Sequence, residues 1–229
     1  MPNHEHGHDM QWMLEQLRLG MSAGIYPAGS WMRQDSLAEN YQVSRFLVRG
    51  ALERLAELGS LEHVPNRGYR VRHWQYQERL ALTEARISIE LALIPLMMAR
   101  QTPEGLIKAQ RAQDQFEAAV TSQDGPAMVK ANHQFHRALA ALAGNEFLAH
   151  QVNWLREQGL QGAGPGWPQT GGLERSIEEH RLMLEALLSR DPISLQQVIQ
   201  QHLSAWKQRH TIAQDNTTTD SGSTILAPI

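Results

Sequence analysis

Val43-Ser44-Arg45-Phe46-Leu47-Val48-Arg49-Gly50-Ala51-Leu52 is the stretch on which the fold of this 229-residue chain turns. Ser44 is a good N-cap, because its hydroxyl can accept a backbone N–H of the first helical turn. Val48, Ala51, Leu52 and Leu55 then recur at helical spacing on one face, and Gly59 supplies a C-terminal stop. Upstream, a short helix is expected from Asp35 or Ser36 to Tyr41, with a tight break at Gln42-Val43. Further upstream, Met13, Leu14 and Leu17 imply a first helix ending before the Gly20–Gly29 stretch, where Tyr26-Pro27-Ala28-Gly29 signals a turn. Downstream, Leu61–Val64 can pair with Tyr69–Arg72 across Pro65-Asn66-Arg67-Gly68. Three helices and a two-stranded wing make residues 10–74 a winged helix-turn-helix.

From about Gln77 the pattern changes to uninterrupted helical periodicity, predicting an all-helical bundle of six or seven helices over 78–213. The clearest segments are 78–101, 103–122, 125–143, 145–159, 173–189 and 192–213. Pro103, Pro126 and Pro192 sit near helix starts, whereas Pro95 falls inside an apolar run and should kink its helix. Gly159–Gly172 reads as a loop. Residues 1–9, with His4, His6 and His8, and residues 214–229 read as disordered tails. The chain as a whole is mainly α.

Composition excludes several classes. The absence of cysteine removes disulfide frameworks, thiol nucleophiles, iron–sulfur clusters and cysteine-ligated zinc. No apolar run approaches the roughly 18 residues that span a bilayer, so a soluble, cytoplasmic protein with no membrane partner is expected. The net charge of −3 hides a local exception. Residues 44–74 carry six arginines against Glu53, Glu57 and Glu62, a surplus of three positive charges.

Arg45, Phe46 and Arg49 occupy exposed positions of the first two turns of the third helix. An arginine there can aim its planar fork at guanine N7 and O6, while Ser44 and the helix-terminal N–H groups take phosphate. Arg67, beside Gly68 at the wing tip, suits phosphate or the minor groove. A solvated surface is the plainer reading of any one of these arginines, but it leaves the combination of helix, turn, helix and wing unexplained.

Gly24-Ile25-Tyr26-Pro27-Ala28-Gly29, Leu37-Ala38-Glu39, residues 43–52, Leu55, Gly59 and Asn66-Arg67-Gly68-Tyr69 together resemble the GntR family of bacterial transcription regulators, over about residues 10–72. The resemblance implies a homodimer on a short pseudo-palindromic double-stranded DNA operator, with Arg45 and Arg49 at DNA-contact positions. Two departures stand out. The family's usual Thr-Pro after the first arginine is Phe46-Leu47, and its usual Glu before Ala-Leu is Gly50.

Among eleven histidines, three lie on apolar helix stripes. His136 shares a face with Asn132, Leu139 and Ala143. His180 goes with Ile177, Leu184 and Leu187, and His202 with Val198, Ile199, Ala205 and Trp206. Asn132 and His136 are spaced i, i+4 and so stack on one face. A core imidazole needs partners for both ring nitrogens. Two readings remain: three separately satisfied histidines, or one cluster around a divalent cation such as zinc, nickel or manganese.

Arg86-Ile87-Ser88-Ile89-Glu90, Asn132-His133-Gln134-Phe135-His136, Leu139 through Asn145, Glu179-His180 and His202 resemble the helical effector domain of the FadR branch, the FCD type, over about residues 78–212. That resemblance implies a divalent metal held by His136, His180 and His202 with open positions for a small organic acid. The family's usual aspartate is Asn132 here. Arg86 falls where it could clamp an effector carboxylate with two parallel hydrogen bonds, or pair with a helix neighbour. Asn145 is either a pocket group or the cap of a helix beginning near Glu146. The implied function is a ligand-responsive regulator, with repression the commoner behaviour. Two rivals remain: a small three-histidine hydrolase, for which no convincing general base is found, and a metal-free carboxylate sensor.

Overall fold

A computed structural model describes residues 9–160 and 172–220, with side chains over 9–158 and 172–207. The expectations for His4, His6 and His8 and for the centre of the Gly159–Gly172 loop lie outside the described residues.

The head is built from α1 (Met10–Ser22), β1 (Trp31–Met32), α2 (Gln34–Tyr41), α3 (Arg45–Glu57), β2 (Leu61–Val64) and β3 (Gly68–Val71). Asp9 caps α1 by accepting the Trp12 N–H at 2.8 Å. Ser44 caps α3 as expected, accepting the Leu47 N–H at 3.2 Å. Val48, Ala51, Leu52 and Leu55 of α3 pack with Met13, Leu17 and Met21 of α1 into a core closed by Leu37, Leu61 and Val71. Gly50 faces α1, where an added Cβ would stand 2.7 Å from Met10 Cε, the flexible tip of a side chain that can shift aside.

The wing corrects the sequence reading in one respect. It has three strands in the order β1-β3-β2, because Trp31 and Met32 pair antiparallel with Arg70 and Tyr69. The hairpin itself is as read, with Leu61 opposite Val71 and Val64 opposite Gly68. Asn66 (φ +61°) and Gly68 (φ +97°) take the left-handed backbone that the reversal requires.

The bundle comprises α4 (Tyr76–Arg100), α5 (Pro103–Thr121), α6 (Gly125–Ala141), α7 (Glu146–Leu160), α8 (Gly172–Leu188) and α9 (Pro192–Asp220). Six helices were read with nearly these limits. Helix α4 runs unbroken through Pro95, and α9 continues to Asp220, past the point near Gln214 where the sequence suggests a tail. Helix α5 packs along α6, α4 against α7 and α9, and α8 against α9 and α5. Their shared core includes Leu93, Met97, Phe135, Leu139, Met183, Leu187, Leu195 and Ile199.

Head and bundle meet where α1 packs on α6 and α7. Arg18 of α1 pairs with Glu157 of α7 at 3.5 Å. The Gln158 amide donates to the Leu58 carbonyl, at the C-terminal end of α3, at 2.8 Å. No helix among the described residues is long and apolar enough to cross a membrane.

Candidate functional site

The outer face of the head carries the residues read as DNA contacts. Arg45, Phe46 and Arg49 project from the start of α3, and Arg67 is exposed on the turn before β3. Arg45 pairs with Asp35 at 3.1 Å and Arg49 with Glu53 at 3.7 Å, all four side chains being more than half exposed. Such exposed pairs contribute about 0–1 kcal/mol, so both guanidinium groups can exchange these partners for phosphate or a base edge. The Ser44 hydroxyl oxygen accepts in its cap, which leaves its O–H free to donate to a phosphate.

In the bundle, α6, α8 and α9 bring His136, His180 and His202 together, with one donor atom of each lying within 4.8 Å of the others. The reading of three separately satisfied histidines is thereby replaced by a cluster. Two outer chains of hydrogen bonds orient the rings. Arg181 binds the Glu117 carboxylate, which accepts from the Gln113 amide at 2.9 Å. That bond turns the Gln113 carbonyl oxygen toward His180 Nδ1, 2.7 Å away. Nδ1 therefore carries the proton, and His180 Nε2 is left as a bare lone pair, buried and without a partner. Similarly, Arg175 donates to Glu179 at 2.7 Å, and the other Glu179 oxygen accepts from His202 Nδ1 at 2.7 Å. Imidazoles held this way through Nδ1 present Nε2 to a metal.

Burial, followed by the field of Arg156, holds His136 well below the usual imidazole range. Burial, followed by the proximity of His202, does the same to His180. Burial alone would raise the Glu179 carboxyl, but hydrogen bonds from His202 and Arg175 more than offset it and keep the group anionic. Imidazoles kept neutral by burial, as His136 and His180 are, suit a borderline cation. Asn132, one turn before His136, is buried with its Oδ1 unpartnered. Asn132 Oδ1 and His180 Nε2 are orphaned lone pairs of the kind that a divalent cation satisfies, so the donor set fits such a metal.

Beside His136 lies a small cavity of about 20 Å³, lined by Glu90, Leu93, Leu139, Arg156, Met183 and Ile199 among others. Sequence reasoning missed Arg156. It is 4% exposed; its Nη2 donates to the Asn132 carbonyl at 3.2 Å and its Nη1 has no partner. Burial, followed by the neighbouring Arg86, pushes Arg156 well below the usual guanidinium value, as expected of a cation short of a counter-ion. Its position one turn after Val152, on a largely apolar helix face, was the available signal. Gln113 offered none.

The two effector candidates read from sequence both take local partners. Arg86 donates through Nε and Nη2 to Glu90 Oε1 at 3.3 and 3.0 Å, the helix-neighbour pairing. Asn145 accepts the Leu148 N–H at 3.1 Å and so caps α7.

A winged helix joined to a bundle with a polar cluster and a cavity at its centre defines a DNA-binding regulator with a sensing domain. The chain belongs to the GntR family of bacterial regulatory proteins, whose model matches residues 13–71, and carries an FCD domain, matched over residues 81–205. The HTH-type transcriptional regulator McbR of Escherichia coli (strain K12) is 23% identical over 206 residues, covering 85% of this chain and 90% of its own. The HTH-type transcriptional repressor GlaR of the same organism is 26% identical over 196 residues, covering 79% and 86%. The solved structure of E. coli McbR/YncC superimposes with a TM-score of 0.73 at 22% identity, over 88% of this chain and 98% of that one, which establishes the shared fold. The family and these relatives are transcription regulators, not enzymes, and the hydrolase reading is set aside.

Proposed function

We propose that this regulator binds a pseudo-palindromic operator as a homodimer and represses transcription until a small carboxylate enters the bundle. Ser44, Arg45, Phe46, Arg49, Arg67 and Gly68 form the DNA-reading face. His136, His180 and His202, with Asn132 as a neutral fourth donor, hold a divalent ion. Bound there, the ion supplies a Lewis-acidic anchor for one carboxylate oxygen. Three imidazoles and an amide bring it no negative charge, so metal and carboxylate stabilise one another in the site. Arg156 takes the place first read for Arg86: its unpaired Nη1 binds the second carboxylate oxygen, while Arg86 holds Glu90 aside. The cavity is small and its lining largely apolar, which favours a short acid that parts the flexible Met97 and Met183 side chains as it enters.

One observation carries this reading. The consecutive residues Arg156, Glu157 and Gln158 of α7 reach the cavity, Arg18 of α1 and the end of α3, respectively. An anion that draws Arg156 inward therefore bears directly on the recognition helix. A preference of about 1–3 kcal/mol for one head arrangement changes operator affinity about 5- to 150-fold.

The test is calorimetric titration of zinc, nickel and manganese into protein lacking residues 1–8, which removes the tail histidines and keeps the Asp9 cap, with and without butanoate. About one ion per chain is expected, bound more tightly with butanoate present, and Arg156→Gln should abolish that gain while leaving metal uptake alone intact. Absence of metal binding under both conditions removes the metal from the reading. Butanoate binding that is indifferent to Arg156 removes the anchor.

A further inference from the structure

We propose that Phe46 reads a thymine methyl group in the major groove and is a specificity-determining residue of the operator-binding head. The inference rests on α3 being the DNA-contacting helix and goes beyond that reading by assigning the apolar side chain a base.

Helix α3 does not need Phe46 to fold. Its packing is complete with Val48, Ala51, Leu52 and Leu55, each fully buried, whereas Phe46 is 75% exposed. A phenyl ring so exposed gains nothing from the hydrophobic effect in the free protein, and that gain remains available to whatever covers it. Its position is the second residue after the Ser44 cap, in the first turn, from which recognition helices reach base edges.

The surroundings identify the occupant. Arg45 precedes the ring in sequence, and the Arg49 guanidinium lies 5.6 Å from the ring centroid. A partner covering Phe46 must also take up both arginines, whose exposed carboxylate pairs are weak enough to be exchanged for other anions. Duplex DNA supplies them. Within the major groove a phenyl ring can neither donate to nor accept from a base edge, and the apolar feature on display there is the C5-methyl of thymine. Arginines to either side suit guanine O6 and N7, so a thymine beside a guanine is expected in each half-site.

The experiment uses the full chain and a random-sequence duplex pool. After enrichment, each thymine of the preferred duplex is replaced in turn by deoxyuridine, which removes only the methyl group. Wild-type protein should lose about fourfold in affinity at one thymine per half-site, the worth of burying one methyl group. Phe46→Ala should bind the thymine and uracil duplexes equally. Indifference of the wild type to every replacement overturns the proposal, and so does a thymine preference that survives in Phe46→Ala. A pool yielding no enriched duplex defeats the DNA-contact reading of α3 itself, a failure distinct from enrichment without methyl sensitivity.

Discussion

The two polar surfaces of this protein are built on opposite principles. On the head, Arg45–Asp35 and Arg49–Glu53 are single ion pairs held in water, each partner more than half exposed. In the bundle, Arg175–Glu179–His202 and Arg181–Glu117–Gln113–His180 are chains, and each ends on a ring whose tautomer is thereby fixed. Water screens the first kind and leaves its side chains movable; burial and reciprocal hydrogen bonding lock the second. A surface that must try many DNA sequences gains from mobility. A site that selects one small ligand gains from being preorganised.

The largest effects should come from breaking the locked side. His180→Ala removes a donor and is expected to reduce zinc affinity more than about 100-fold, since losing only an outer partner of a metal-bound histidine already costs about 10–100-fold. Glu179→Gln, which weakens the His202 acceptor but keeps its shape, should fall within that smaller range. Competition against a fluorescent chelator reads both, with circular dichroism confirming that the bundle persists. Unchanged zinc affinity in His180→Ala would mean that the cluster is a hydrogen-bonded core feature.

On the mobile side, Arg45→Ala and Arg49→Ala are each expected to cost about 1–3 kcal/mol against the preferred duplex and to relax discrimination at one base pair. Zinc affinity should not move in either variant. A uniform loss across all duplexes, with a shallower dependence on salt, would instead place that arginine on phosphate.

The contrast is partly legible in the sequence. Ser44, the apolar spacing from Val48 to Leu55 and the Pro65–Gly68 reversal are local signals, and local signals fix α3 and the hairpin. Strand β1 was missed because two residues carry no periodicity; it exists only because Arg70 and Tyr69, far along the chain, offer backbone partners. The histidines were legible one helix at a time, since each breaks an apolar stripe. What orders them was not: Gln113 and His180 are 67 positions apart, and nothing around Gln113 marks it as a partner. Arg86 and Asn145 show the converse, because the local alternatives, an i, i+4 pair and an N-cap, describe both as they stand here.

The smallest expected effect is the sharpest test of the contrast. Asp35→Asn removes the carboxylate that faces Arg45 and leaves a side chain of the same shape. If the pair is only a resting place for a mobile guanidinium, its loss frees Arg45 and takes a negative charge away from the phosphates. Affinity for the preferred duplex should then rise, by no more than about fivefold given what exposed pairs contribute, and the gain should vanish as salt is raised. A fall in affinity would have the opposite meaning. It would show that Asp35 aims the Arg45 fork, as Glu179 aims His202, and that the head is preorganised by the same device as the bundle.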